Sequence, residues 1–261
     1  MVRKIGSFVS GTIIGTLGGL IGLGGAEFRL PVLISFFRFP ALEAIILNKT
    51  MSLVVVASAL VFRTNTIPFI LIESHWMVIV NLLAGSIIGA WVGASFAVKL
   101  RSKTLHRTIA ILLVIIAGVL LFGHQAAADH TILVSGGVFQ IVSGVIAGFI
   151  IGVFASVLGV AGGELLIPTL ILLFGTDIKL AGSLSLAISL PTMLTGFARY
   201  SQDNSFAVIG RNKLFVVIMA AGSLVGAFIG GKLLGIVPDT VLLPVLACIL
   251  IISSYKMWTH T

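Results

Sequence analysis

Charge is scarce in this sequence. Only 9% of its 261 residues are charged, where a soluble domain carries about 25%. A soluble fold this poor in charge could not clothe its surface in polar groups, whereas lipid removes the need. No polar stretch is long enough to form a separate domain, which excludes an attached ATP-hydrolysing unit, and no phosphate-binding loop ending in Gly-Lys-Ser/Thr occurs. The single cysteine, Cys248, excludes an internal disulfide; standing in an apolar run, it is expected to pack between helices. The five histidines form no His-Glu-x-x-His motif and cysteines are not paired, so no metal site and no cofactor are expected. A Gly-x-Ser-x-Gly elbow is also missing, and no nucleophile and base converge, so the chain is not expected to be an enzyme.

Apolar length is what the sequence has in abundance. Hydrophobic residues make up 58% of the chain and the mean hydropathy is +1.22. A spanning helix needs ~20 apolar residues. Runs of that kind predict an all-α, polytopic membrane protein with elements near 7–24, 26–37, 42–62, 76–98, 105–122, 133–158, 163–174, 178–198, 213–235 and 240–258. The net charge of +8 then needs no nucleic acid, because basic residues orient membrane helices by collecting on the cytoplasmic side. The basic, apolar start of the chain ends in no small-residue cleavage site and reads as mature structure. Trp76, beside His75, reads as an interfacial anchor.

The sequence also repeats itself. At an offset of 137 positions Gly11 falls on Gly148, Gly15 on Gly152, Gly22 on Gly159, Gly25 on Gly162, Glu27 on Glu164 and Pro31 on Pro168. Ser52 then falls on Ser189, and Gly85, Gly89 and Gly93 fall on Gly222, Gly226 and Gly230. The expected halves are 1–126 and 127–261, joined at the polar stretch 123–131. In each half a Gly cluster precedes an element too short to span, 26–37 or 163–174. Glycine weakens a helix and tolerates unusual backbone angles. Residues 7–37 and 133–174 are therefore expected to be broken, re-entrant elements.

Charge placement supports that expectation. If both elements return to their starting side, the halves are inverted. The cytoplasmic side then holds Arg3, Lys4, Arg38, Lys49, Lys99, Arg101, Lys103, Arg107, Arg199, Arg211, Lys213 and Lys256, and the far side only Arg63, Lys179 and Lys232. Crossing once each would abolish the bias. Inverted repeats with both termini cytoplasmic, in a cytoplasmic (inner) membrane, are the expected topology. The small residues at i, i+4 and i+8, Gly85–Gly89–Gly93 and Gly222–Gly226–Gly230, are expected to bring helices close.

The stretch Gly11-…-Gly15-…-Gly22-Leu23-Gly24-Gly25-Ala26-Glu27-Phe28-Arg29-Leu30-Pro31 and its second copy Gly148-…-Gly152-…-Gly159-Val160-Ala161-Gly162-Gly163-Glu164-Leu165-Leu166-Ile167-Pro168 resemble the TauE/SafE family of sulfite exporter-like membrane proteins. The resemblance covers nearly the whole chain. It implies export of a small anion, such as sulfite or a sulfonated or other small organic acid.

The residues themselves offer candidates. Glu27 and Glu164 each start a half-helix beside a Gly break. A carboxyl in the membrane is costly and is a functional candidate by default; it could carry protons or bind a cation. Equally, a Glu at a helix start caps free N–H groups and suits the positive dipole end. Arg29 has no counterpart, Leu166 standing in its place. It could recognise an oxyanion, partner Glu27, or snorkel. Gly24, Gly25, Gly162 and Gly163 could let an anion approach free backbone N–H groups. Asn48, Lys49 and Ser52 in the first half, with Ser185 and Ser189 in the second, could line a solute path or bond helices together. Lys49 could also snorkel. The expected partners are a small anionic solute, the lipid bilayer and protons, with oligomers allowed. Two rivals stand beside the anion carrier: a cation or metal carrier using the paired Glu, and a non-catalytic assembly subunit.

Overall fold

The computed structural model describes residues 2–21, 25–63, 68–118, 137–233, 248–255 and 258. Helix follows helix: α1 (Val2–Ile21), α2 (Ala26–Ser35), α3 (Ala41–Arg63), α4 (Phe69–Ser74), α5 (Trp76–Lys99) and α6 (Ser102–Gly118). After the undescribed stretch come α7 (Gly137–Leu158), α8 (Gly163–Phe174) and α9 (Ile178–Tyr200). A 3₁₀ turn (Asn204–Phe206) leads to α10 (Ala207–Arg211) and α11 (Lys213–Leu233), and residues 248–255 form α12. Five of these helices are long and apolar enough to cross a membrane among the described residues. The chain is an all-α polytopic membrane protein. Its outward faces carry the large apolar residues that lipid requires, among them Ile70, Met77, Ile88, Phe96, Val138 and Phe139.

The offset seen in the sequence reappears in the backbone. Adding 137 carries the ends of α3 onto those of α9, the starts of α2 and α5 onto those of α8 and α11, and the end of α1 onto that of α7. It also carries Arg38, a non-glycine residue with φ 57°, onto Gly175 with φ 65°. The short helices α4 and α10 were not expected, being too few residues to show a period. The expected joint at 123–131 and most of 240–258 lie outside the described residues. Cys248 is exposed rather than packed between helices, because an apolar run does not reveal which face of a membrane helix meets lipid.

Glycine sets the tightest contacts. A Cβ on Gly11 or Gly15 of α1 would strike backbone at Met219 or Ser223 of α11, and one on Gly222 or Gly226 would strike Phe8 or Thr12. The same fit joins α5 and α7, where Gly85, Gly89 and Gly93 face the backbone of Val145, Phe149 and Val153. The first long helix of each half thus packs against one long helix of the other, α1 on α11 and α7 on α5. Residue numbers rise together across both contacts, so each pair is parallel.

Other contacts give the remaining directions. Ser86 and Ser95 of α5 bond Thr192 and Arg199 of α9, so these run parallel. Phe215, near the start of α11, packs its ring 5.3 Å from that of Phe39, just before α3. Arg211, just before α11, bonds Glu43 in the first turn of α3 at 2.7 Å. Lys49 near the start of α3 lies over Tyr200 at the end of α9, so that pair is antiparallel. Helices α1, α3 and α11 therefore run one way, and α5, α7 and α9 the other. Helices α1, α3 and α5 thus each run opposite to the helix 137 positions on, α7, α9 and α11 respectively.

The half-helices fold back. Gln140 Nε2, at the start of α7, donates to Leu173 O at the end of α8 at 2.5 Å. Helix α8 therefore returns toward the end from which α7 departed. In the first half the ring of Phe36, just past α2, stands 4.0 Å from where a Cβ on Gly6 of α1 would lie. Pro31 and Pro168 sit inside these short helices. Interior leucines at matching places, Leu33 and Leu170, Leu47 and Leu184, are fully enclosed and seat each half-helix on the long helix that follows it.

Candidate functional site

Each half-helix begins on a glycine that only glycine suits. Gly25 (φ 70°, ψ 22°) and Gly162 (φ 81°, ψ 10°) are left-handed residues immediately before the first helical turn. An L side chain is strained there. Gly25 also lies against the backbone of Ile14, and Gly162 against the side chains of Ile151 and Ala155. The glycine at each N-cap supplies no side-chain cap. The free N–H groups of those first turns therefore leave a positive end exposed to whatever stands before it.

Glu27 and Glu164 stand there, each second in its helix and each buried. The two carboxyls lie within hydrogen-bonding reach of each other across the two breaks, and the backbone N–H of Glu164 lies beside its own carboxyl. No well-directed donor among the described residues reaches Glu27 Oε1 or either oxygen of Glu164. Two ionised carboxylates offer only acceptors, so a bond between them requires a proton. The centre therefore consists of two half-helix starts brought together, with a carboxyl pair between them that one proton can join.

Side chains from α3 tie this centre down. Asn48 Nδ2 donates to Ala26 O at the start of α2 (3.0 Å) and to Leu158 O at the end of α7 (3.2 Å). One amide thus holds both breaks. Its Oδ1 accepts from Arg29 Nη1 at 3.4 Å, and the same nitrogen donates to Ser52 Oγ at 3.2 Å. Arg29 is wholly buried and lies in the field of Glu27, so it does not snorkel. Lys49 is wholly buried too and donates to Ser156 Oγ at 3.3 Å. In the second half Ser189 Oγ donates to Ala161 O in the break at 2.7 Å. Ser185 Oγ bonds Gly182 O of its own helix and, among the described residues, nothing else. Gly163 opens α8. Gly24 lies outside the described residues.

The expected candidates therefore gather, with Ser185 turned to its own backbone. Three residues were missed. Ser156 receives Lys49, Tyr200 OH donates to Ser156 O at 2.9 Å, and Gly196 makes room for both Lys49 and Ser156. Ser156 could have been noticed as one of three polar side chains in α7, with Gln140 and Ser143, and Tyr200 as one of two tyrosines. Nothing in the sequence marks Gly196.

A family profile described as Sulfite exporter TauE/SafE matches residues 5–257. The chain is also similar to a protein of Bacillus subtilis (strain 168) named Probable membrane transporter protein YunE, at 28% identity over 112 residues. That match takes in 42% of this chain and 38% of the relative, so the chain aligns with well under half of the relative's length. No solved structure matches.

Proposed function

The chain belongs to the sulfite exporter TauE/SafE family, and from that premise we propose that this membrane transporter carries a small anion past the Glu27–Glu164 pair, with a proton on the pair. The observation that carries the reading is the meeting of two carboxyls across two half-helix starts. The positive helix ends attract negative charge. Ionised carboxylates would satisfy them and repel an incoming anion. Protonation removes that competition and lets the anion take the helix ends, so anion and proton travel together. Sulfite, a sulfonate or a small organic acid fits this chemistry, with export the direction the family description names.

The opposed directions of α1 and α7, α3 and α9, and α5 and α11 support inverted repeats, 1–126 and 127–261, rocking about the centre. The clustering of Lys and Arg supports an inner-membrane protein with cytoplasmic termini.

Flux into proteoliposomes tests the proposal. The screen takes sulfite, sulfate, thiosulfate, ethanesulfonate, carboxylates and divalent metals against an imposed pH gradient. Single cysteines at Arg101 and Ser201, in a Cys248→Ser background, should label from one side in the same vesicles. Anion flux should respond to pH in the wild type. Glu27→Gln and Glu164→Gln each give the pair a permanent N–H donor, and both should lose most of that response. Wild-type anion flux indifferent to pH, or divalent-metal flux with none of the anions, would end the proposal.

A further inference from the structure

Among the described residues Lys49 has no counter-ion. Its side chain is wholly buried, its ammonium donates to the neutral hydroxyl of Ser156 at 3.3 Å, and it stands 5.8 Å from the centroid of the Tyr200 ring. Among the described residues no carboxylate bonds it. A buried cation without a partner is costly to keep. The fold does not need one here, because the offset places Leu186 at the same point of α9, buried among Val56, Met193 and Ala59.

The facing helix is adapted to the charge. A Cβ on Gly196 would lie 2.6 Å from Lys49 Nζ and 2.6 Å from Ser156 Oγ. The residue opposite Leu186 at the equivalent place is Ala59, which keeps its methyl group. One crossing of α3 and α9 thus carries lysine against glycine, and the symmetric crossing carries leucine against alanine. Arg29, the other buried cation, is already engaged by Asn48, Ser52 and the charge of Glu27.

We infer that Lys49 is the point charge that receives the transported anion, with Ser156 Oγ as a second contact and Arg29 as a positioning residue that holds Asn48 across the two breaks. The ligand is a compact anion with acceptor oxygens, a sulfite, sulfonate or carboxylate group. A lysine ammonium suits all three, since it has three rotatable donors and imposes no planar fork. In this state α3, α7 and α9 enclose the ammonium, and an anion reaches it when α3 and α9 part. The inference rests on the anion-carrier reading above, and it adds which residue binds.

The test is uptake kinetics in proteoliposomes with sulfite, ethanesulfonate and acetate as probes. Lys49→Gln should raise KM at least tenfold for whichever probe the wild type carries, with maximal rate within about threefold. Gly196→Ala keeps every charge and displaces the flexible end of Lys49 and the hydroxyl of Ser156, the two proposed anion contacts; it should raise KM severalfold while the protein stays monodisperse. If Lys49→Gln fails to fold, Gly196→Ala decides alone. An unchanged KM in Gly196→Ala, or in a folded Lys49→Gln, overturns the inference while wild-type flux keeps the carrier reading standing. A wild type that carries none of the three probes overturns the inference, and one that carries no anion of the wider screen overturns both.

Discussion

The two halves share a backbone and divide its chemistry. Around the first break stand Glu27, Arg29, Asn48 and Lys49, all buried. At the matching places of the second stand Glu164, Leu166, Ser185 and Leu186. The left-handed glycines, half-helices and close glycine contacts are common to both. Only the carboxyl is kept on both sides. What makes the fold, two breaks and two tight helix pairs, is common to both halves. The cations and the bridging amide gather in one of them.

If the scaffold is shared equally, damage to it should be equal. Gly89 and Gly226 are counterparts. A Cβ on Gly89 would strike the backbone of Phe149, and one on Gly226 the backbone of Thr12 and Thr16. Backbone cannot yield as a side-chain tip can, and overpacking of this kind costs up to ~3 kcal/mol or more. Gly89→Leu and Gly226→Leu should each largely abolish the monodisperse peak in detergent size-exclusion chromatography. Loss in one alone would show that one half carries the scaffold and that the symmetry is only apparent.

A smaller effect should separate the halves. Asn48 holds Ala26 O and Leu158 O and accepts from Arg29; among the described residues Ser185 at the matching place holds only Gly182 O, within its own helix. Leaving buried polar groups unsatisfied costs ~1–3 kcal/mol each, whereas an ordinary hydrogen bond contributes about 1. Asn48→Ala should therefore cost ~2 kcal/mol and Ser185→Ala no more than ~0.5 kcal/mol, read as thermal midpoints in detergent. Equal shifts would remove the claim that one amide ties both breaks.

Much of the scaffold could be read from residue order because its causes are local. Gly25 and Gly162 mark helix starts by their own backbone needs, and the offset of 137 doubles each signal. Glu27 and Glu164 were legible as costly carboxyls, but their contact was not, since it depends on how two half-helices pack. Lys49 and Ser156 are 107 positions apart, and no period links them. Gly196 matters only through the ammonium and the Ser156 hydroxyl that occupy its place. Such convergence arises when helices cross, and a one-dimensional pattern holds no record of crossings. Cys248 failed for the opposite reason: lipid accepts an apolar face as readily as a protein core does, so hydropathy could not say which way it points.

The smallest expected effect tests whether the two breaks are chemically separate. Ser52 and Ser189 are counterparts and both are buried, yet their hydroxyls do different work. Ser52 accepts from the Arg29 guanidinium at 3.2 Å, whereas Ser189 donates to Ala161 O at 2.7 Å. Alanine at either place should cost ~1 kcal/mol, so the single variants look alike. A double-mutant cycle with Arg29→Met distinguishes them. The cost of Ser52→Ala should disappear in that background, because the group it served is gone, and the cost of Ser189→Ala should persist in full. Thermal midpoints of the six proteins read this out. Coupling between Arg29 and Ser189 would mean that the guanidinium governs both breaks, and the second half could then no longer be treated as a scaffold with one carboxyl of its own.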